Sequence, residues 1–361
     1  MCYNLIQLVG PSKVSRVLFY YLNSTYFWWP FSILNANGIL LKLLMSLKQM
    51  LENVKKLAEM PPSIRQAKLA AAVQGNIFGR LYADRNHDIH QSLLVAGTHR
   101  SGSTWLANIL NHSLHYRFIF EPIRHTRVKS IRRFRRLYIR PGQENPHFKQ
   151  YFADMLTGAE SNYHLNRKND TFLCHGRLLK DTSVNLHLKW LRQEFPFLPI
   201  IQIIRNPFLV VSSCLKVDWL HPYEPDFWLG QEELVEDYLQ PFVKLISKSK
   251  TDAEKYMLEW CILNFVPLQQ FQSNEWKLVF YDSLVHDPGH ELKKVFCYLE
   301  KSYEESILEK LYLASHTAEE DVQDREFLLN KWRASLSLEE QTMVLHYAGQ
   351  FGLEPYLGLK L

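Results

Sequence analysis

The sequence is poor in the features that organise small extracellular or metal-bound folds. Its five cysteines (Cys2, Cys174, Cys214, Cys261 and Cys297) are odd in number, scattered, and form no C-x-x-C pair. That argues against a disulfide framework or a cysteine-held metal, and for a reducing compartment. Clustered carboxylates are missing too, so no metal is expected. With 14 glycines and 16 prolines in 361 residues there is no excess of either, which excludes collagen-like and low-complexity classes. Internal repeats are absent. An uninterrupted run of about 20 apolar residues, the length of a membrane span, is also lacking. The nearest approach is the aromatic segment 17–34, broken by Asn23, Ser24, Thr25 and Pro30. No small-residue cleavage site follows it, so a secretory signal peptide is not expected. A helical arm packed on the domain or lying at a membrane interface is the expectation, with a type II anchor as the alternative. Localisation is correspondingly expected to be cytoplasmic, with peripheral membrane contact through this segment. Strong charge of either sign is missing as well. The net charge of +5 suits an anionic ligand but is too weak and dispersed to imply nucleic acid.

What is present is an ordinary globular composition, 47% hydrophobic and 13% aromatic, in a chain long enough for one large α/β domain or two small ones. Leu40, Leu43, Leu44, Leu47, Met50, Leu51, Val54 and Leu57 recur at helical spacing, and Pro61-Pro62 stops that helix. Ser63 caps a second helix running toward Leu81. Residues 1–90 therefore read as a helical, amphipathic extension, and the main domain begins near residue 91. There, Ser92–Gly97 reads as a buried strand entering a glycine-containing turn, and Trp105–Leu114 as the helix that follows. Short apolar runs at 116–120, 171–179, 198–204 and 276–281 alternate with helical stretches. This pattern predicts a three-layer α/β sandwich: a parallel sheet of about five strands with helices on both faces. Such sheets hold ligands outside the carboxyl ends of their strands.

One segment, 124–170, stands apart. It opens with Arg124, Arg127, Lys129, Arg132, Arg133, Arg135, Arg136 and Arg140 before its first acidic residue, Glu144. It reads either as the solvated face of an insertion or as a basic lid over a charged acceptor or the donor of a transfer reaction. Nucleic-acid contact is not expected, because Phe134 and Tyr138 are the only stacking aromatics interleaved with these eight cations.

The chemistry concentrates in Gly97-Thr98-His99-Arg100-Ser101-Gly102-Ser103-Thr104-Trp105. Its two glycines have the spacing of a Walker A loop, but Ser103 stands where the lysine belongs. A Walker lysine reaches the β- and γ-phosphates of a nucleoside triphosphate. Without it the loop still offers backbone N–H groups at a helix N-terminus, and Arg100 adds a permanently charged fork. That suits a single tetrahedral anion better than a triphosphate. The string resembles the 5′-phosphosulfate loop of the sulfotransferases that use PAPS (3′-phosphoadenosine 5′-phosphosulfate), in the Arg-Ser-Gly-Ser/Thr-Thr form of carbohydrate, bacterial and tyrosylprotein enzymes. Downstream, the strand ending in Arg205-Asn206-Pro207 resembles the family's 3′-phosphate motif, in which a serine follows eight positions after the arginine, as Ser213 does here. Weaker likenesses are Leu178-Leu179-Lys180-Asp181, Glu194-Phe195-Pro196, the Tyr281–Pro288 element with Asp282 in place of glutamate, and Lys331-Trp332-Arg333.

The resemblance implies a P-loop-like fold and in-line sulfonate transfer to a hydroxyl acceptor, with no metal. It implies donor contacts from Thr98 to Trp105, from Arg205 and Ser213, and from Lys331 and Arg333. Arg100 and Lys180 would neutralise the bridging oxygen. An alcohol acceptor benefits from a general base. Glu121 at the end of the second strand is the first choice, as in family members with a glutamate about twenty residues beyond the loop arginine; His125 and His175 are alternatives. A carbohydrate or glycoconjugate acceptor is expected, with a lipid or small-molecule alcohol as the alternative. Readings of another class are a P-loop kinase or NTPase, opposed by the missing lysine, and a non-catalytic anion-binding module, opposed by the coexistence of Arg100, Glu121, Arg205 and Ser213.

Overall fold

The computed structural model describes residues 82–126, 128–217, 220–308 and 325–357. The helices expected over 39–60 and 63–81 and the aromatic segment 17–34 lie outside the described residues. In chain order the strands are β1 (Ala83–Asp84), β2 (Ser92–Gly97), β3 (Arg117–Phe120), β4 (Leu173–Cys174), β5 (Arg177–Asp181), β6 (Ile200–Ile204) and β7 (Lys277–Phe280). The longer helices are α1 (Ser103–Leu114), α2 (Pro146–Thr157), α3 (Leu188–Glu194), α4 (Pro207–Leu215), α5 (Asp252–Gln270), α6 (Pro288–Tyr298) and α7 (Leu338–Gln350).

Five strands form one all-parallel sheet in the order β3-β5-β2-β6-β7. Alternation along each strand sends side chains to opposite faces, and both faces are covered. Leu94, Ala96, Ile119, Leu179 and Ile200 pack with Phe148, Phe152 and Met155 of α2 and with Trp190 and Leu191 of α3. On the other face Leu93, Val95, Phe118, Leu178, Ile201, Ile203 and Val279 meet Leu106, Ile109 and Leu110 of α1 and Val295 and Phe296 of α6. The expected three-layer α/β sandwich with a five-stranded parallel sheet is therefore present. Helices α4, α5 and α7 pack a further cluster that includes Trp260 and Tyr347.

The run expected as one strand over 171–179 is instead two strands, β4 and β5, parted at Gly176. A side chain there would place its Cβ 2.2 Å from the Gln91 carbonyl oxygen and 2.8 Å from the Tyr116 ring. The backbones approach too closely for continuous strand. β4 pairs with β1 in a separate two-stranded sheet, and this ties residues 82–91 to the domain. Arg117 donates to Asp84 Oδ2 at 3.1 Å, and Arg177 Nη1 to the Asn86 carbonyl at 2.7 Å. The segment 124–170 is likewise built in. Its helix α2 supplies Phe148 and Phe152 to the core, and Arg136 is buried in an ion pair with Glu259.

His187, wholly buried beside Phe148 with ring centroids 5.0 Å apart, is pushed by desolvation down to about 3. A histidine in the unfolded chain takes its proton near 6.5. Between those values the unfolded state binds more protons, so stability falls as pH is lowered through that window. Urea unfolding should show the folded state losing about 2 kcal/mol from His187 between about pH 6.5 and 5. His187→Leu should flatten the profile by that amount; an unchanged slope would refute the assignment.

Candidate active site

β2 ends at Gly97, and the chain then folds back on itself tightly. A Cβ on Gly97 would fall 2.6 Å from Ser101 Oγ and 3.0 Å from the Ile203 carbonyl. Arg100 (φ 62°) and Gly102 (φ 88°) both take left-handed backbone, unusual for a non-glycine residue such as arginine and characteristic of strained functional turns. Gly102 is fixed twice over, since a Cβ there would also meet the Tyr281 ring at 2.7 Å. The turn delivers the chain into α1, whose N-terminus has neither a side-chain cap nor an acidic residue in its first turn. Its first N–H groups are thus open to an anion. Ser101 Oγ and Trp105 Nε1 are buried beside it without hydrogen-bond partners.

β6 is the neighbour of β2, with Gly97 opposite Ile203, so Arg205 leaves the same sheet edge as the loop. Arg205 Nη1 donates to the Arg100 carbonyl at 2.9 Å, and its guanidinium lies 4.2 Å from the Tyr281 ring centroid. Its Nε is buried without a partner. Asn206 caps α4 by accepting from Phe208 N at 2.9 Å, and Arg100 Nε donates to Ser213 Oγ within that helix at 2.8 Å. The 281–288 element joins the two loops. Tyr281 packs under Arg205 and 5.4 Å from Trp105, while Asp282 Oδ2 accepts from Asn206 N at 3.2 Å. Lys331 and Arg333 flank Trp332, which stacks on Phe208 of α4 at 4.2 Å. Arg333 is exposed, lies over the Trp332 ring and donates to Asn330 Oδ1. They stand beside α4 rather than in the loop.

On the other side of β2 runs β5, then β3. Glu121 follows β3 with left-handed backbone (φ 46°), and Lys180, one residue before the end of β5, lies directly opposite Phe120. Both side chains are buried. Lys180 Nζ donates to Glu121 Oε1 at 2.8 Å, and Arg124 Nη1 stands 3.5 Å from Oε2. Burial works to raise the Glu121 carboxyl, but the Lys180 charge and hydrogen bond, with Arg124, hold it down at about 2. Thr182, absent from the residues singled out by sequence, donates to Glu121 Oε1 at 3.2 Å. Since its one hydroxyl hydrogen is used there, the contact to His99 Nδ1 at 3.2 Å requires Nδ1–H to be the donor. His99 therefore keeps its proton on Nδ1, and desolvation holds the ring neutral, well below the usual histidine value. The sequence assigned His99 to the donor loop; its side chain faces Thr182. His125, lowered to about 4 chiefly by burial, has its Nε2 hydrogen-bonded to Arg167 at 2.9 Å. His175 precedes β5 and pairs through its N–H with the His115 carbonyl. It lies at the amino ends of the strands, opposite the loops, and is removed from consideration as a base.

A cavity of about 400 Å³ lined by His90, Tyr116, Arg192 and Lys301 also opens at that amino end, at the opposite end of the sheet from the two loops and Glu121. Among the described residues no group of histidine, cysteine and carboxylate side chains is arranged to hold a metal, and no helix is long and apolar enough to cross a membrane.

Comparison with solved structures finds low-identity neighbours. A sulfotransferase domain from the curacin biosynthetic pathway is 14% identical over 73% of this chain and 97% of that one, with TM-score 0.41. A mouse sulfotransferase complexed with PAP is 11% identical over 79% and 94%, with TM-score 0.40. Sulfotransferase STF9 from Mycobacterium avium is 13% identical over 82% and 89%, with TM-score 0.36. No curated protein matches the chain. The sequence profile described as the sulfotransferase family matches residues 92–305. That span is more than half the chain and includes the loop, Glu121, Lys180 and the Arg205–Ser213 turn, and on that match the chain belongs to the sulfotransferase family.

Proposed function

We propose that the donor of this sulfotransferase is PAPS and that the acceptor is a hydroxyl group of a carbohydrate or glycoconjugate. The observation that carries the donor assignment is that the two anion-seeking loops are bonded to each other, by Arg100 Nε to Ser213 Oγ and by Arg205 Nη1 to the Arg100 carbonyl. A nucleotide carrying anionic groups on both its 5′ and 3′ sides presents one to each loop. The residues present fit such a molecule. Ser101 Oγ, Trp105 Nε1 and Arg205 Nε are buried polar atoms without partners, and buried polar atoms are normally satisfied. The donor supplies an electrophilic sulfur attacked in line, with adenosine bisphosphate as the leaving group.

In this reading Arg100 and the amides of Gly102 to Thr104 hold the charge that builds on the leaving side. Lys180, between the loop and Glu121, neutralises the bridging oxygen, and Glu121 takes the acceptor proton. A carboxylate held at about 2 is a weak base, so that role needs Lys180 to turn from Glu121 toward the donor. His125, neutral and tied to Arg167, orients the acceptor side. Lys331 and Arg333 extend donor contacts from the edge of α4.

Adenosine 3′,5′-bisphosphate at about a hundred times its Kd should stabilise the fold by about 2.7 kcal/mol, read as a raised melting temperature. ATP with magnesium should leave the melting temperature unchanged. The reverse pattern would overturn the donor assignment in favour of a nucleoside triphosphate enzyme. Labelled sulfonate appearing on a saccharide hydroxyl completes the test, and transfer confined to non-sugar alcohols would overturn the acceptor assignment.

A further inference from the structure

The strand order spreads the site along one sheet edge. Arg205 and Ser213 sit beyond β6, the loop beyond β2, Lys180 near the end of β5, and Glu121 beyond β3. The acceptor side is therefore the β3 end, and the basic segment falls there. The fold has already used some of its cations. Arg136 is buried against Glu259, Arg140 is held by Glu236 and Asp237, and Lys149 pairs with Glu194. Six others, Lys129, Arg132, Arg133, Arg135, Arg167 and Lys168, stand within ion-pair distance of no carboxylate among the described residues.

These six are not evenly scattered. The short helix Lys129–Arg132 packs on the Pro122–His125 turn that follows Glu121, and Tyr163–Asn166, which leads into Arg167 and Lys168, packs on the same turn and on β3. Both cation-bearing segments thus pack on the turn that follows Glu121. Nor are these cations all solvated surface. Arg167 is half-buried, and desolvation lowers its pKa. Arg135 Nε is withdrawn from water with no partner. Withdrawing a guanidinium from water without an ion-paired anion is costly, and the hydrogen-bond partner of Arg167 is the neutral ring of His125. Phe120 makes the position of Arg167 definite. Its ring carries the Arg167 guanidinium at 4.8 Å and the Lys180 ammonium at 4.9 Å, so one aromatic platform aligns the acceptor-side arginine with the lysine of the transfer step. Of the two acids at this turn, Glu121 is already matched by Lys180 and Arg124, and Asp181 accepts from the backbone N–H groups of Ile123 and Ser183.

We infer that Arg167 is a specificity residue that recognises an anionic group of the acceptor itself, so that the acceptor is an already acidic saccharide bearing a carboxylate or sulfate near the hydroxyl to be sulfonated. This rests on the acceptor reading proposed above, and places Arg167 outside the donor site.

Isothermal titration in the presence of saturating adenosine 3′,5′-bisphosphate tests it, with a heparin-derived tetrasaccharide as the anionic probe and maltotetraose as the neutral one. The anionic probe should bind at least about tenfold tighter than the neutral one. Its affinity should drop about fivefold or more when sodium chloride is raised from about 50 to 250 mM, as screening requires. Arg167→Ala should weaken the anionic probe about five- to tenfold while leaving bisphosphate affinity unchanged. Arg133→Ala, at an exposed position, should change it less than about twofold. Equal loss in both variants would mean diffuse polyanion binding and would overturn the inference, as would unchanged binding in Arg167→Ala or equal affinity for maltotetraose. Should Arg167→Ala fail to fold, Arg167→Gln, which keeps most of the side chain's length without its charge, should show the same five- to tenfold loss, and unchanged binding in it, like a flat salt dependence in the parent, overturns the inference. Failure of the parent to bind the bisphosphate would instead sink the donor assignment, which is a separate result.

Discussion

Arg205→Ala should weaken binding of adenosine 3′,5′-bisphosphate by about 2–4 kcal/mol, roughly thirty- to several-hundred-fold. Two losses combine. A phosphate at the start of α4 would forfeit a charged, bidentate donor, and the loop itself would forfeit a brace, because Arg205 Nη1 holds the Arg100 carbonyl and its guanidinium rests on Tyr281. The second loss predicts that adenosine 5′-phosphosulfate, which lacks the 3′-phosphate, is also bound less well by the variant, though by a smaller factor. Arg205→Lys separates the two, since it keeps a charge but not the planar fork. It should recover less than about 1 kcal/mol of the deficit. Titration calorimetry of the two nucleotides against parent and variants reads both effects. If Arg205→Ala binds the bisphosphate as tightly as the parent, the 3′-phosphate assignment is wrong.

The sheet and the two loops were legible because each leaves a local mark. Buried strands of Val, Ile and Leu between polar turns name themselves, and Gly97, Gly102, Arg205 and Ser213 occupy fixed offsets at strand–helix junctions. What was not legible depends on contacts between segments far apart in the chain. Tyr281 holds both loops together, but nothing around it in sequence announces that its ring will lie under Arg205 and against Gly102. Thr182 is two residues past Lys180, yet its link from Glu121 to His99 spans three strands. His175 looked like a candidate base because a histidine's type is visible in sequence and its end of the strand is not. The split at Gly176 had a signal, a glycine within an apolar run, whose meaning is a close backbone approach. The basic segment shows the same limit most clearly. The cations of 124–170 look alike as letters, and only the fold separates Arg136, paired with Glu259, from Arg167, hydrogen-bonded to His125.

Glu121→Gln should lower kcat by about a hundredfold or more while leaving bisphosphate affinity within about threefold of the parent, because the amide keeps the shape and one acceptor oxygen for Lys180 and Thr182. The ion pair with Lys180 makes the pH behaviour sharper evidence than the rate alone. In the free enzyme Lys180 and Arg124 keep the Glu121 carboxyl down at about 2, so it stays ionised throughout the range in which the protein can be assayed. Accordingly kcat/KM should show no acid limb from Glu121 above about pH 4, two units above its value. If donor binding draws Lys180 away, the carboxyl loses its largest opposing charge while its burial, which favours the neutral form, remains. Its value then rises, and kcat, which reports the bound enzyme, should acquire an acid limb that kcat/KM lacks. Lys180→Met should impose that limb on both parameters, because the opposing charge is then gone from the free enzyme too. Near-normal turnover in Glu121→Gln would remove the base role, whereas a hundredfold loss with superimposable kcat and kcat/KM profiles would keep Glu121 in the site but reject the exchange of Lys180 between carboxylate and donor.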